Sequence, residues 1–499
     1  MSASDAIAAR GSIRAETRTN VLWLLSGIIG LAIVLRAIHM GALSLWNDEL
    51  FSRYYADLFG VKYLWTTGLA RESSPPLYYM AIEGWMRLFG SSEVAMRSLS
   101  AVASVLTVPL VYAIGKELFD SKSALLAALV FALSPMQVAY AQEARTYALL
   151  SLPVCAVLWS SARFMRGDMR GRVLLAYGLG AVIALYCHAT AAFFLAACNL
   201  VMIAWLLTAH GERRTAIPRW LGVNIIVAVL AIPELQAMLA QGRTATGLAW
   251  IAPFRPGAVI HMLTTLVTGH ATPYAFPGVE LALALLACLG LCLLAIRPHR
   301  RAVALSMIPV LFVVLMAGAS FVHPIFLDRV FLWLGIPLAI ALGAALAVQT
   351  RLRPLLLTLA ILAGGVGLGY RYIAGCHEPW SALVQRIGTD LAGADHVVVA
   401  PLTGPPGLAY YDPELPRLEM WSTGQTDTVE HDDMPRRMGV KLITRDQLLR
   451  EIRSGQHVWL VMRKPDQARV DQLIADGVPP KSYIAFACHG VMCLMALTW

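Results

Sequence analysis

Long apolar stretches separated by short polar turns dominate the hydrophobicity pattern of this chain. Most of them run for about 17–22 residues, the length that the hydrocarbon core of a bilayer requires of a helix. The pattern therefore predicts an α-helical polytopic membrane protein. We place about eleven spans of that length near residues 20–40, 96–115, 123–140, 147–164, 173–190, 192–208, 220–238, 279–296, 302–322, 330–348 and 354–373.

The first apolar run is long, and no small-residue cleavage site follows it. We therefore expect it to stay in the protein as an anchor, preceded by a short cytoplasmic tail at residues 1–19. Residues 41–95 form a long external loop between the first two spans and contain the pair Pro75-Pro76. This pair interrupts a helix. The helical apolar spacing of residues 77–89 indicates a helix that lies in the membrane interface.

The pattern changes near residue 374, where the long apolar runs end. We assign residues 20–374 to a transmembrane domain and residues 375–499 to a small α/β domain, because the second part alternates amphipathic stretches with short β-branched runs. Its predicted helices are 380–392 and 471–476, and its predicted strands are 396–401, 457–463, 482–488 and 491–498.

Composition and charge agree with a membrane protein. Hydrophobic residues make up 58% of the chain and charged residues only 14%, whereas a soluble domain carries about 25% charged residues. The net charge of +9 does not indicate nucleic acid, because the basic residues lie in loops on one side of the membrane. By the positive-inside rule that side is cytoplasmic, and an odd number of spans places the C-terminal domain outside. The basic residues are Arg10, Arg14, Arg18, Lys116, Lys122, Arg163, Arg166, Arg170, Arg172, Arg213, Arg214, Arg219, Arg297, Arg300, Arg301, Arg351 and Arg353.

The cysteines fall into two groups. Those in or beside the predicted spans are best explained as small apolar packing residues. Cys376, Cys488 and Cys493 would be external, where an oxidising compartment permits disulfides. Cys488 and Cys493 flank a predicted four-residue hairpin loop and could pair. The neighbouring His377 and His489 do not complete a standard zinc-ligand spacing.

Charged residues recur at the outer ends of the predicted spans. Taken singly, each pair of them could be an interfacial salt bridge, or could only mark a helix end. Together they predict a cavity at the outer boundary, in which carboxylates act as bases or metal ligands. Arginines there would bind an anionic group, since the planar guanidinium suits phosphate. The residues are Asp48, Glu49, Glu143, Arg145, Asp328, Arg329, Arg36 and Arg97.

Short motifs follow one another in a recognisable order between residues 30 and 210. They are Leu45-Trp46-Asn47-Asp48-Glu49, Pro75-Pro76-Leu77-Tyr78-Tyr79, Arg97 with Val111–Phe119, Ser134-Pro135 and Gln142-Glu143-Ala144-Arg145-Thr146-Tyr147. In this order they resemble the GT-C superfamily of polytopic glycosyltransferases (family 39), in the branch of the protein O-mannosyltransferases and the lipid A aminoarabinose transferases. The resemblance implies sugar transfer from a polyprenyl-phosphate donor to a cell-envelope lipid, polysaccharide or protein, outside a bacterial inner membrane.

Roles for individual residues follow from the resemblance, motif by motif. Asp48 matches an acidic residue proposed as general base or metal ligand, Glu143 matches a second acidic position, and Arg145 would bind the carrier phosphate. The expected catalytic residues are Asp48, Glu49 and Glu143. The expected phosphate ligands are Arg145, Arg329, Arg97 and Arg36. The expected donor contacts are Pro75, Pro76 and Tyr78, and a divalent ion, if used, would bind Asp48 and Glu143.

Two departures from the family pattern affect these expectations. Relatives often have His or Asp just before the Pro-Pro pair, where this chain has Ser74, so the donor contact there differs. No β-trefoil domain like that of the eukaryotic protein mannosyltransferases is recognisable, which favours a lipid or polysaccharide acceptor over a protein.

The expected chemistry requires no cofactor. A carboxylate takes the proton of the acceptor as it attacks the anomeric carbon, and arginines stabilise the departing phosphate. A single displacement predicts inversion. The alternatives are a polymerase or ligase of polyprenyl-linked glycans, a lipid-linked sugar transporter or flippase, and a non-catalytic assembly subunit. A transporter would more often show inverted repeats and helices broken near the bilayer midplane. Expected partners are the donor, the acceptor and membrane lipids.

Overall fold

The structure, a computed structural model, describes most of the chain in two compact units. The described residues are 3–68, 74–208, 217–244, 251–269, 300–348, 354, 358, 365–369, 372, 377–400, 405–415, 418–421, 437–463, 467–488 and 491–499. The helical unit comprises Met1–Ile38, Ser73–Tyr78 and Arg97–Ile373. The loop–sheet unit comprises His39–Glu72, Tyr79–Met96 and Ala374–Trp499. Most of the predicted external loop 41–95, apart from Ser73–Tyr78, therefore shares one unit with the C-terminal part of the chain.

The helices are numbered along the chain. They are α1 (Ala3–Ala37), α2 (Asn47–Leu58), α3 (Leu77–Phe89), α4 (Glu93–Leu118), α5 (Ser121–Leu133), α6 (Pro135–Ala141), α7 (Thr146–Phe164), α8 (Gly171–Cys187), α9 (Ala191–Leu207), α10 (Ile217–Leu230), α11 (Ile232–Thr244), α12 (Gly257–Thr268), α13 (Arg300–Ser320), α14 (Gly335–Val348), α15 (Trp380–Ala392), α16 (Pro405–Tyr411), α17 (Arg445–Arg453) and α18 (Gln467–Ala475). Three short turns are Val61–Tyr63, the π-helical Leu64–Gly68 and the 3-10 helical Asp328–Leu334.

The helical unit contains the predicted membrane spans. Among the described residues, five helices are long and apolar enough to cross a membrane, or up to seven if each bent pair is one span. The bent pairs are α5 with α6, at 57°, and α10 with α11, at 55°. Each bend lies at a proline, Pro135 or Pro233, which removes a backbone donor from the helix. The spans predicted at 279–296 and 354–373 lie wholly or mostly outside the described residues.

Close helix packing and an apolar outer surface are both visible in the helical unit. α5 packs against α14, α7 against α8, and α9 against α13. At the first contact a Cβ on Gly343 would overlap the Ala127 backbone, so only glycine permits this approach. Large apolar side chains such as Leu175, Leu200 and Ile225 are exposed. Such side chains on membrane helices face lipid, which agrees with the polytopic architecture predicted from the sequence.

The loop–sheet unit contains a mixed six-stranded sheet in the order β3-β2-β1-β4-β6-β5. β1, β2, β3 and β4 pair in parallel, and β4–β6 and β5–β6 pair antiparallel. Every side chain of β4 is buried, as expected for a central strand. The strands are β1 (His396–Ala400), β2 (Leu418–Trp421), β3 (Lys441–Ile443), β4 (Val458–Arg463), β5 (Ser482–Cys488) and β6 (Val491–Thr498).

Most elements of the C-terminal part were predicted from the sequence. The predicted helix 380–392 and the strands at β1, β4, β5 and β6 are confirmed. β2 and β3 were missed because strands of so few residues carry almost no alternation. The loop between β5 and β6 is shorter than predicted, since Cys488 pairs in register with Val491. The Cys488 side chain lies outside the described residues, so the Cys488–Cys493 disulfide stays a prediction.

Candidate active site

The acidic stretch after the first span is the beginning of a helix. α2 starts at Asn47, so Asp48 and Glu49 lie in its first turn, where the helix dipole stabilises negative charge. Trp46 before them has an extended backbone, with φ −91° and ψ 170°. The external loop predicted here is therefore partly helical, and a rigid element holds both acids.

The two acids have different surroundings. Glu49 is fully buried, and its carboxylate accepts a hydrogen bond from the Trp46 backbone N–H at 3.2 Å, the reciprocal contact of a capping box. The Nδ1 atom of His377 lies 3.9 Å from the same carboxylate. Asp48 is half-buried. Glu49 thus has a structural role at the start of α2, and Asp48 is the better candidate for catalysis.

Aromatic packing fixes the rest of α2. The Tyr55 ring stacks on Phe59 at 4.9 Å and on Tyr79 at 5.4 Å between ring centroids. The Arg437 guanidinium lies 4.4 Å from the centroid of the Phe59 ring. These contacts pack the C-terminal end of α2 against Tyr79 and Arg437.

Two of the predicted phosphate ligands lie beside one aromatic ring in the helical unit. The guanidinium carbon of Arg145 is 6.0 Å from the centroid of the Tyr147 ring, and that of Arg329 is 5.8 Å from it. The His188 ring lies 5.6 Å from the same ring. Cation–π contacts orient guanidinium groups. Two of them beside one ring concentrate positive charge where an anion can bind.

Helix ends position this basic cluster, defined here as Arg145, Arg329, Tyr147 and His188. Arg145 is the N-cap residue of α7, and its carbonyl accepts a hydrogen bond from Ser100 Oγ at 3.1 Å. Next to it, the Thr146 hydroxyl donates to the Cys187 carbonyl at the end of α8, at 2.8 Å. Arg329 lies in the 3-10 turn before α14. Three separate junctions of the helical unit therefore meet at Tyr147.

The predicted acids of the helical unit flank this cluster. Glu143 is buried, and both Glu143 and Arg329 act electrostatically on the buried Tyr140. The Tyr140 ring lies 5.5 Å from the Tyr147 ring. Asp328 pairs with His261, with 3.1 Å between Oδ2 and Nε2. Glu143 and Arg329 therefore both lie near Tyr140, and the catalytic role of Glu143 stays a prediction.

Arg36 has a different environment from Arg145. It is fully buried, and its guanidinium donates to Ser104 Oγ at 2.8 Å and to the Ala132 carbonyl at 3.1 Å. These contacts join α1 to α4 and α5, which disfavours the prediction that Arg36 binds phosphate. Arg97 is likewise buried, in α4, and its phosphate role stays a prediction.

The predicted donor contacts lie just before and within the start of α3. Pro75 and Pro76 are buried and precede Leu77, the first residue of α3. Proline is compatible with that position, because the first residues of a helix have no intrahelical acceptor for their N–H groups. Tyr78 is buried in the first turn. Their contact with a donor stays a prediction.

The predicted metal ligands Asp48 and Glu143 belong to different compact units, and a divalent ion there stays a prediction. The sheet carries a separate cluster of His396, Glu419 and Glu451, whose ligand atoms lie within 4.8 Å of one another. His396 Nδ1 is 2.9 Å from Glu419, and Lys441 donates to Glu419 at 2.7 Å. Burial and the Glu419 charge raise the pKa of Glu451. Glu419 thus bridges His396 and Lys441, as in a structural polar network.

The contacts made by residues 377–381 could not be found from the sequence. His377 lies 3.1 Å from the Ser44 carbonyl, and Ser381 Oγ lies 2.8 Å from Ser44 Oγ. Glu378 contacts the first residue of α2. The only sequence signal was the charged Glu378 placed between apolar runs, and nothing local indicates a partner more than three hundred residues away.

Comparisons with known proteins agree with this description. Residues 73–235 match the family described as dolichyl-phosphate-mannose-protein mannosyltransferase, which confirms the resemblance read from the motifs. No curated protein sequence matches the chain. The crystal structure of ArnT from Cupriavidus metallidurans in the apo state is similar, with a TM-score of 0.60 and 15% identity over 97% of this chain and 98% of that chain.

Two further solved structures are similar. The same ArnT bound to undecaprenyl phosphate gives a TM-score of 0.57 and 14% identity, over 94% of this chain and 97% of that chain. The archaeal oligosaccharyltransferase AglB from Archaeoglobus fulgidus, in complex with an inhibitory peptide and a dolichol-phosphate, gives 0.52 and 11%, over 96% and 74%. The chain therefore has the fold of ArnT and AglB, and its residues 73–235 match the mannosyltransferase family.

Proposed function

We propose that this protein transfers a sugar from a polyprenyl-phosphate donor to a cell-envelope acceptor, with inversion at the anomeric carbon. The observation that carries the proposal is the basic cluster, in which Arg145 and Arg329 lie beside the Tyr147 ring. The family match over residues 73–235 supports the reaction class. The solved relatives bound to undecaprenyl phosphate and dolichol-phosphate support the carrier.

In the proposed reaction Asp48 acts as the general base. It accepts the proton of the acceptor hydroxyl or amine while that oxygen or nitrogen forms a bond to the anomeric carbon. The bond between the anomeric carbon and the phosphate oxygen breaks on the opposite face, and the polyprenyl phosphate leaves with the electron pair. A single displacement of this kind inverts the configuration, and it balances without a cofactor.

The arginines act on the leaving group. The donor is a phosphodiester with one negative charge, and the released phosphate monoester carries a second. Positive groups aimed at the phosphate therefore interact more strongly with the product-like transition state than with the bound donor, which is the condition for acceleration. The partial burial of Arg145 and Arg329 strengthens this interaction relative to water.

We place the acceptor on the outer side of a bacterial inner membrane, with the N-terminus in the cytoplasm. Support comes from the basic loops, such as Arg163, Arg166 and Arg170, which would all lie inside. In that loop Asp168 pairs with Arg163 and Arg170, and these contacts, Arg170 first, lower the pKa of Asp168.

This orientation predicts opposite accessibility for two exposed positions, Arg172 in the first turn of α8 and Gln456 before β4. In intact cells, a membrane-impermeant maleimide should label Gln456→Cys above the unsubstituted chain and should label Arg172→Cys only after the membrane is opened. Permeabilised cells control for reactivity of both cysteines. Equal labelling of both variants in intact cells would show that the proposed orientation is wrong.

Function is tested by binding and transfer with the purified protein in liposomes. We expect undecaprenyl phosphate to raise the melting temperature, because a ligand that binds only the folded state stabilises it, and undecaprenol without phosphate to have little effect. We also expect radiolabelled sugar to move from synthetic undecaprenyl-phosphate sugars into envelope extract of a strain that lacks the gene.

The outcomes separate the alternatives. Product of one added sugar supports a transferase, and products of many repeats would indicate a polymerase. Movement of intact donor across the liposome membrane without transfer would indicate a transporter. Equal stabilisation by undecaprenol and by undecaprenyl phosphate would contradict the phosphate-binding role of the basic cluster.

A further inference from the structure

The start of α2 is held by a carboxylate from the C-terminal part of the chain. The backbone N–H of Asn47, the first residue of α2, donates to Glu378 Oε2 at 3.1 Å. The indole N–H of Trp380 donates to the same oxygen at 3.2 Å, and Arg463 Nε donates to the other oxygen at 2.6 Å. Glu378 and Arg463 are both buried. One buried carboxylate thus joins the helix that carries Asp48 to the sheet.

Arg463 lies at the end of the sheet where open α/β sheets usually bind ligands. In the order β3-β2-β1-β4 the chain adds strands on opposite sides of β1, so the order reverses between β1 and β4. In open α/β sheets the crevice outside the carboxyl ends of the strands at that point is the usual ligand site. Arg463 is the last residue of β4, and its guanidinium there binds Glu378. The arginine at this crevice, Arg463, therefore binds a carboxylate of the same chain.

The residues just before α2 also contact the C-terminal part of the chain. The Leu45 backbone N–H donates to the Tyr411 hydroxyl at 2.7 Å, and that hydroxyl donates to Glu93 at 3.0 Å. Burial raises the pKa of Tyr411, so its hydroxyl stays protonated and able to donate. With the contact of His377 to the Ser44 carbonyl, three side chains of the C-terminal part hold the backbone of residues 44–47, and Ser381 contacts the Ser44 hydroxyl.

We infer that Glu378, held by Arg463, is a positioning residue for Asp48, and that the C-terminal domain serves catalysis by fixing the first turn of α2. This inference rests on the proposed function, because Asp48 is the base only if sugar transfer occurs. The Glu378 carboxylate accepts from the backbone N–H of Asn47, which has no acceptor within the helix. Its negative charge also interacts favourably with the helix dipole at this end of α2. An error of about 1 Å in the base costs up to ~100-fold in rate.

The test compares Glu378→Gln, Arg463→Met and the double variant with Lys441→Met. Each single variant leaves one member of the buried pair without its opposite charge, whereas the double variant removes both charges and should fold. Lys441→Met is the matched control, because it breaks an ion pair of 2.7 Å with Glu419 in the same sheet without touching α2.

We expect Arg463→Met and the double variant to lower kcat about 10- to 100-fold, with the donor KM changed less than about 3-fold, because the donor phosphate site is elsewhere. Hydrogen exchange of the peptide over residues 45–50 should speed up, whereas that of β1 and β4 should not. Glu378→Gln keeps an acceptor for the Asn47 N–H and should be affected least. Lys441→Met should resemble the wild type in each readout.

Wild-type kcat in the double variant, despite faster exchange at residues 45–50, would overturn the inference. Unchanged exchange in that peptide would also overturn it, because the contact would then not hold α2. If the wild type itself transfers no sugar, the proposed function fails, and the exchange data alone still decide whether Glu378 and Arg463 hold the helix.

Discussion

Replacing Asp48 with Asn should lower the rate of sugar transfer by ~10²–10⁴-fold, the usual loss when one general base is removed. The amide keeps the shape of the side chain but cannot accept the acceptor proton. Glu49→Gln should have a smaller effect on rate and a larger one on stability, because Glu49 caps α2 from a fully buried position. The two neighbours should therefore separate cleanly into a catalytic and a structural residue.

The measurement is single-turnover transfer from a synthetic undecaprenyl-phosphate sugar, with melting temperatures recorded for every variant. Asp57→Asn is the matched control, since Asp57 lies on the same helix with its side chain 59% exposed, 3.4 Å from Arg53. It should retain wild-type transfer. Full activity in Asp48→Asn would refute the assignment of the base. Equal losses in the Asp48 and Glu49 variants would instead indicate a metal or structural role for the pair.

The second large effect is expected at the basic cluster. Arg145→Met and Arg329→Met should each lower kcat/KM by about 10- to 100-fold, because a hydrogen bond to a charged group contributes ~1.5–3 kcal/mol. Stabilisation by undecaprenyl phosphate should fall in parallel. Lys at either position keeps the charge but loses the planar fork, so we expect Arg→Lys variants to recover only part of the activity.

Arg87→Met controls for a general loss of positive charge, since Arg87 is 77% exposed and pairs only with Glu83 among the described contacts, at 2.6 Å. It should leave donor binding unchanged. Tyr147→Leu removes the shared ring while both cations remain, and should weaken donor binding less than loss of an arginine. Undiminished stabilisation by undecaprenyl phosphate in the Arg145/Arg329 double variant would refute the phosphate site.

The sequence predicted those parts of the fold that depend on local patterns. Span-length apolar runs predicted the helices, and short continuous apolar runs predicted β1 and β4 as buried strands. β2 and β3 escaped prediction because three or four residues hold too little pattern. Their pairing with β1 depends on tertiary contact instead.

The candidate site was predictable only in its residue types. Arg36 and Arg145 are alike in the sequence, as arginines near helix ends, and only their surroundings separate them. The Nε and Nη1 atoms of Arg36 donate to Ser104 and the Ala132 carbonyl, whereas Arg145 lies beside Tyr147 with Arg329. Likewise, Glu378 gives no local sign that it holds Asn47. Such assignments need distances between residues far apart in the chain.

The contact between Asn47 and Glu378 can form only late in the synthesis of the chain. The two residues are 331 positions apart, and Arg463 is made later still. A ribosome that adds roughly 5–20 residues each second inserts the helical unit long before the sheet exists. During that interval of roughly 20–70 seconds, the first turn of α2 lacks its contact with Glu378. If the proposed function holds, Asp48 is therefore fixed in place for sugar transfer only when translation has nearly finished.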